Sequence, residues 1–288
     1  MKNIIYYFLK YFGFIIPNSV FCNLIFIYNC IRFKRPFYWL DIKNPRTFNE
    51  KINHIKFYRK NLIGAVVADK IAVRKYVKSL IGDELLIPNI GTYNKPSEIQ
   101  WGDLPEKFVM KINNGSGANI ICPNIENVNL KKEKIHLSNL FKKDYYLSSR
   151  EWQYKEIKNQ IIIEQFLGDN LNDYKVFCSS DNGPFLIQVD TNRFNGHRRD
   201  FFDTQWHSMD IRYVYPKSET EIPRPKQLTK MLEYAKTLSQ KLDFARIDFF
   251  EVNGHLYFGE ITLHPEGGFG PFDSFKSDLT LGSYLPSL

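Results

Sequence analysis

Two patterns near the C-terminus of this 288-residue chain set charges where metal and phosphate chemistry can use them: Arg246-x-Asp248 and Glu260-x-Thr262. They lie on two arms, Ala245 to Val252 and Leu256 to Leu263, rich in Phe, Ile, Tyr and Val and separated by Asn253-Gly254, a strong hairpin-turn signal. Side chains alternate along a strand, so Arg246 and Asp248 share one face of the first arm, and Glu260 and Thr262 one face of the second. The turn decides whether those faces coincide. A two-residue Asn253-Gly254 turn pairs Asp248 with Gly259 and sends Glu260 to the other side; a three-residue turn ending at His255 pairs Asp248 with Glu260. Two adjacent carboxylates repel unless a cation lies between them, and a hard cation such as Mg²⁺ takes carboxylate oxygens while sharing its shell with phosphate and water.

Three further stretches carry chemistry. Lys107 to Cys122 reads as a strand ending near Lys111, a turn at Gly115-Ser116-Gly117 and a return strand. Glycines let backbone N–H groups approach phosphate oxygens while the lysine adds charge, although the Gly-Lys-Ser/Thr ending of a P-loop is missing. Lys175 falls in a strand beginning at Asp173, followed by a turn at Asp181-Asn182-Gly183 and a return strand to Asp190. The segment 193–200 holds Arg193, His197, Arg198 and Arg199 and reads as a cationic loop suited to carboxylate or phosphate.

The elements around these residues are mixed. Thr47 and Glu50 have capping-box spacing and open a helix with Ile52, Ile55 and Phe57 on its apolar side. A second helix starts near Asp69-Lys70 and stops at Gly82, a third covers about 130–143, and a fourth, about 226–242, leads into the hairpin. Ile161 to Leu167 reads as a buried strand with Glu164-Gln165 at its edge. Composition is that of a globular protein, 43% hydrophobic and 24% charged, and the net charge of +8 favours anionic partners. No module interleaves basic and aromatic residues as nucleic-acid binders do, so nucleic acid is not an expected partner. Cys22, Cys30, Cys122 and Cys178 have neither metal-ligand spacing nor scaffold density, which points to a reducing cytoplasm. Residues 1–40 form an apolar, aromatic extension interrupted at Pro17-Asn18-Ser19 and ending in Arg32, Lys34 and Arg35. It is too broken to span a bilayer, and either packs on the body or lies on the inner membrane face.

Taken in order, Asp69-Lys70 on a helix, Lys111 before a glycine-rich hairpin, Glu164-Gln165-Phe166-Leu167 after an apolar strand, and the Arg246-x-Asp248 and Glu260-x-Thr262 pair resemble the ATP-grasp superfamily. The segments Asn44 to Lys51, Arg150 to Tyr154 and Gly259 to Thr262 are similar to signatures of its branch related to the teichuronopeptide biosynthesis protein, found among bacterial surface-polysaccharide genes. The resemblance implies an α+β fold in which two lobes grip ATP between antiparallel sheets. It divides the chain into a helical extension (1–40), an N-terminal lobe (41–104), a lid with the glycine-rich loop (105–167) and a large subdomain with the metal-binding hairpin (168–288).

It also implies roles. Lys70 and Lys111 would contact the ATP phosphates with Gly115, Ser116 and Gly117 folded over them. Glu164 and the Gln165-Phe166-Leu167 segment would hold adenine, Asp169 would reach the ribose, and Lys175 the phosphates. Asp248, Glu260 and Thr262 would bind one or two Mg²⁺, and Arg246 would stabilise the transferred phosphoryl group. Arg193 and Arg198 would hold a carboxylate substrate. This requires Asp248 and Glu260 on one face, which selects the three-residue turn. Asn114 departs from the branch, which carries His there, and Thr262 stands where many relatives of the wider superfamily have Asn. The implied activity is a carboxylate-amine ligase that joins an amino acid or amino sugar to a uronic acid or similar carboxylate, glycan-linked, in capsule or O-antigen assembly. A glycosyltransferase acting on a lipid-linked glycan is the rival.

Overall fold

A computed structural model describes residues 15–117, 119–193 and 195–288. Strands β1 (Asn89–Tyr93), β2 (Phe108–Ile112), β3 (Asn119–Cys122) and β4 (Ile161–Gln165) form a small antiparallel sheet in the order β1-β4-β2-β3. Strands β5 (Asp173–Ser179), β6 (Gly183–Thr191), β7 (Arg198–Phe202), β8 (Ser208–Met209), β9 (Phe244–Val252) and β10 (His255–Thr262) form a larger one in the order β10-β9-β5-β6-β7-β8. The helices relevant to the site are α1 (Asn18–Phe33), α2 (Phe48–Tyr58), α3 (Gly64–Ala68), α4 (Ala72–Ile81), α5 (Leu130–Phe141), α6 (Leu228–Ser239) and α7 (Phe275–Gly282).

The large sheet owes its position to strand alternation. Val176, Ile187, Val189, Ile247 and Phe249 project to one face, where Val67, Val73 and Val77 from α3 and α4 and Met231, Ala235 and Leu238 from α6 cover them. The opposite face is divided. At one end Phe177, Leu186, Phe201 and Phe244 pack with Phe48 and Ile52 of α2 and with Tyr213 and Phe272. At the other end the same face carries buried charges. The segment 41–104, expected as a lobe, gives α2, α3 and α4 to the large sheet's cores and β1 to the small sheet.

The hairpin reaches its expected pairing by a different route. Val252 pairs with His255 across a two-residue turn, in which Asn253 and Gly254 take left-handed φ values of 53° and 78°. That turn by itself would set Asp248 opposite Gly259. A bulge between Phe258 and Glu260 absorbs one residue, so Glu260 pairs with Asp248 and Thr262 with Arg246. The bulge is tight around Gly259, where a Cβ would stand 3.0 Å from the Asp248 carbonyl oxygen and 3.2 Å from the Phe250 ring, so a side chain there requires its neighbours to give way.

Three local readings change as well. Lys70 lies in the turn between α3 and α4 rather than on a helix, and the Asp69 carboxylate accepts from the Ile71 and Ala72 N–H groups at the start of α4. The expected loop over 193–200 becomes strand β7 from Arg198 onward. Helix α1 packs on the body through Phe21, Cys22, Phe26 and Cys30 against Leu40, Ile42 and Phe269, while Leu24 and Ile31 face outward. The part of the expected extension in residues 1–14 lies outside the described residues. Among the described residues no helix is long and apolar enough to cross a membrane.

Candidate active site

The charged end of the large sheet is built by register. Glu260 on β10 faces Asp248 on β9, which faces Lys175 on β5, which faces Gln188 on β6; one step along, Asp173 faces Asp190, which faces Arg199 on β7. Arg246 donates through Nε and an Nη to both Asp248 oxygens, each at 2.7 Å, and Lys175 donates to Asp248 and Asp173, each at 2.5 Å. Asp173 also accepts from Arg193 at 2.6 Å. Arg199 holds Asp190 through two hydrogen bonds, at 2.7 and 3.1 Å, and donates to Glu266 at 3.0 Å.

Buried charges survive only when paired. Burial opposes ionisation of Glu260, but Lys70, Arg246, Lys175 and Lys111 outweigh it and hold its pKa down to about 2. Burial likewise opposes ionisation of Asp190, and Arg199, His197 and Lys175 hold it well below the usual carboxylate range. Asp248 goes the other way: burial, helped by neighbouring Asp173, pushes it up against the pull of Arg246 and Lys175.

The small sheet contributes from the facing side. Lys111 on β2 pairs with Glu164 on β4 at 2.7 Å, and Arg74 of α4 pairs with the other Glu164 oxygen at 3.0 Å. Gly115 carries φ 94°, and a Cβ there would stand 2.3 Å from the Tyr145 ring, so the loop turns at that point only as glycine. Lys70 ties the two halves together, donating to the Gly115 carbonyl at 2.6 Å and lying 3.6 Å from Glu260.

A second polar assembly lies beneath. Asn49, Asn53 and Lys56, on successive turns of α2, donate to the carbonyls of Gly270, Gly268 and Gly267 at 2.8, 2.7 and 2.7 Å. Lys56 also reaches the Ser149 carbonyl, and His264 lies beside Glu151 and Gln153. These contacts fix a backbone run in which Glu266, Gly267 and Gly268 all take positive φ, and that run presents Glu266 to Arg199. A left-handed non-glycine residue costs about 1 kcal/mol, so the brace opposes local relaxation.

The structure therefore brings together Lys70, Lys111, Gly115, Glu164, Lys175, Arg193, Arg246, Asp248, Glu260 and Thr262. Ser116 and Gly117 are exposed at the loop tip, Gln165 is exposed, Phe166 and Leu167 are half-buried beside it, and Asp169 lies exposed beyond them. Glu164, expected at adenine, pairs with Lys111 and Arg74. Arg198 is turned away from the cluster to Glu219 and the Lys217 carbonyl. Asn114 also points inward, donating to the Tyr154 and Ile157 carbonyls and to Asn159, where it braces the glycine loop. Sequence reasoning missed Arg74, Asp173, Asp190, Glu266 and the α2 brace. Asp173 and Asp190 had a signal: by strand alternation Asp173 shares a face with Lys175, and Asp190 with Gln188.

The hairpin's oxygens suit a hard cation. One Arg246 Nη nitrogen lies 2.7 Å from Asp248, 3.0 Å from Thr262 Oγ1 and 3.5 Å from Glu260, so three oxygen donors converge on one positive atom. Among the described residues no group of three His, Cys, Asp or Glu side chains forms a metal cage. Two carboxylates and a hydroxyl match an ion that completes its shell with phosphate and water.

Two antiparallel sheets facing each other, one with a lysine and a glycine loop and the other with a carboxylate hairpin, define a nucleotide-gripping class of α+β protein. The family described as TupA-like ATP-grasp matches residues 50–286, and the chain belongs to that family. Among solved structures it is similar to the D-alanine–D-alanine ligase of Helicobacter pylori, at 18% identity over 84% of this chain and 68% of that one, with a TM-score of 0.45. It is also similar to an L-amino acid ligase of Bacillus licheniformis, at 12% identity over 83% and 48% of the two chains and a TM-score of 0.44. For the N5-carboxyaminoimidazole synthetase of Staphylococcus aureus complexed with ADP, identity is 15% over 69% and 45%, with a TM-score of 0.42. The chain spans about half the length of the last two proteins. No curated protein matches it.

Proposed function

We propose that the chain is an ATP- and Mg²⁺-dependent carboxylate-amine ligase that works through an acylphosphate in bacterial surface-polysaccharide assembly. The observation that carries this reading is the meeting of Lys70, Lys111 and the glycine loop with Arg246, Asp248, Glu260 and Thr262 across one cleft. Two lysines and a glycine loop exceed what a sugar diphosphate needs and suit a triphosphate. Lys70 and Lys111 bind phosphate oxygens, Gly115, Ser116 and Gly117 close over them, and the 165–167 backbone meets the base with Asp169 near the ribose. Asp248, Glu260 and Thr262 would hold Mg²⁺, which when bound neutralises phosphate charge. Arg246 and Lys175 stabilise charge on the transferred phosphoryl group, and Arg193 orients the carboxylate that accepts it.

The carboxylate is a uronic acid or similar group carried by a glycan, and the amine an amino acid or amino sugar. The acceptor is met at the inner membrane face, a reading supported by the outward Leu24, Ile31, Phe37 and Trp39, each more than half exposed, beside the exposed Arg32 and Lys34. Incubation with ATP, Mg²⁺, pooled amino acids and amino sugars, and uronic-acid glycans is expected to give ADP and a product lighter by one water than its two substrates together. Transfer of a sugar from a sugar nucleotide, with no ADP formed, would establish the glycosyltransferase alternative instead.

A further inference from the structure

His197 stands just before β7, at the edge of the charged end, and no step of the phosphoryl transfer uses it. Its Nε2 lies 3.4 Å from Asp190 Oδ1 and is shielded from solvent. Its ring stacks on Tyr215, with centroids 3.7 Å apart and planes 28° from parallel, and the Arg199 guanidinium lies 4.8 Å from the centre of the same Tyr215 ring. The other ring nitrogen, Nδ1, has no hydrogen-bond partner among the described residues. The side chain is 15% exposed, so Nδ1 is the nitrogen that solvent and a substrate can reach.

The surroundings fix which nitrogen carries the proton. Asp190 is 1% exposed and accepts from Arg199 at 2.7 and 3.1 Å and from Gln188 at 3.1 Å, so it is a carboxylate with acceptors only. A neutral imidazole beside it therefore turns its N–H to Asp190 through Nε2 and leaves the lone pair on Nδ1. A carboxylate behind the ring also stabilises the imidazolium that forms when Nδ1 takes a proton. The neighbouring charges are committed elsewhere: Lys175 to Asp173 and Asp248, Arg193 to Asp173, and Arg199 to Asp190 and Glu266.

The pair also lies where an attacking group would come. Asp190 on β6 faces Asp173 on β5, and Lys175 on β5 faces Asp248 on β9, so all four share one face of the sheet. From β6 to β9 is two strand spacings, roughly 10 Å. A phosphoryl group at the hairpin, the acyl carbon bonded to it and a nitrogen about 3–3.5 Å from that carbon occupy a span of this size.

We infer that His197, oriented by Asp190 and Tyr215, is the base that takes the proton from the attacking amine. This rests on the ligase reading and adds the proton acceptor for its second step. The nitrogen lone pair forms the C–N bond to the acyl carbon, the acyl C–O bond breaks with its electrons passing to the departing phosphate, and the surplus N–H proton goes to His197 Nδ1.

His197→Gln keeps an N–H for Asp190 but has no basic nitrogen, and His197→Ala opens a space the size of the ring beside Tyr215. Both are assayed with ATP, Mg²⁺, glucuronate and galacturonate as carboxylate probes, and pooled amino acids with glucosamine as amine probes. In parallel, concentrated hydroxylamine replaces the amines; as a stronger nucleophile it captures the acylphosphate as hydroxamate without help from a base. The ratio of amide to hydroxamate is expected to fall by about 100-fold in each variant. Added imidazoles should restore amide formation to His197→Ala in the order of their basicity, which a residue that only braced Asp190 would not produce. An unchanged ratio in His197→Gln, or equal losses of amide and hydroxamate in both variants, would overturn the base alone. If the wild-type protein forms neither product, the ligase reading fails and the base fails with it.

Discussion

The charged end of the large sheet and the brace beneath it are both buried and polar, yet they are built on opposite rules. In the brace, Asn49, Asn53 and Lys56 give their hydrogens to backbone carbonyls that have no other use, and the result is one fixed loop path. In the charged end, side chains pair with side chains, and one Arg246 nitrogen occupies the point where three oxygens converge. Bonds to backbone specify shape, while exchangeable ion pairs can be traded for a ligand's phosphates and cation at little net cost. The brace should therefore govern stability, and the charged end should govern activity.

Substitution at the two places separates these roles. Asp248→Asn should lower ADP formation by about 100-fold or more, because the position loses charge where the proposed phosphoryl transfer needs it. Its melting temperature should stay close to wild type, since Asn is isosteric, Lys175 keeps Asp173, and Arg246 keeps Glu260 and Thr262. Full turnover in that variant would remove the hairpin from the chemistry. Asn53→Leu should do the reverse. Leaving the buried Gly268 carbonyl bare costs about 1–3 kcal/mol, which for a chain of this size is a fall of roughly 2–5 °C in melting temperature, with nucleotide affinity of the folded protein retained. A loss of turnover without a loss of stability would merge the two regions.

A smaller effect follows from pH. Burial lowers the pKa of Lys56 from its ordinary 10.5 to about 8, so the unfolded chain binds this proton more tightly than the folded one. Between those values stability should rise with pH on account of Lys56, and Lys56→Met should lack that part of the rise in parallel denaturant titrations. Smallest of all should be Arg198→Ala. Arg198 pairs at the rim with the exposed Glu219, an arrangement worth about 0–1 kcal/mol, whereas Arg193→Ala should raise the KM for the carboxylate.

Much of this was legible in the residues. The Thr47–Glu50 capping box forms as its spacing requires, and the charges of the hairpin do share a face. The route to that shared face was harder to read. The resemblance selected a three-residue turn ending at His255, whereas the chain makes the two-residue turn and bulges at Gly259, and periodicity alone cannot tell which residue a bulge removes from the count. Arg198 and Arg199 read as one cationic run until the strand sent them to opposite faces. The brace was least visible, because the carbonyls it binds are more than 200 residues away and leave no side-chain complement in the sequence. Its one trace was a helix bearing Asn and Lys on successive turns between Phe48, Ile52 and Ile55.

The most direct test is a thermal-shift titration of the wild-type protein with Mg²⁺ and either ATP or UDP-glucose, repeated with Lys111→Met. A ligand that binds only the folded state raises the melting temperature, so ATP should stabilise the wild-type protein, UDP-glucose should not, and the shift with ATP should largely vanish without Lys111. Stabilisation by UDP-glucose and none by ATP would contradict the assignment of this cleft to a nucleoside triphosphate.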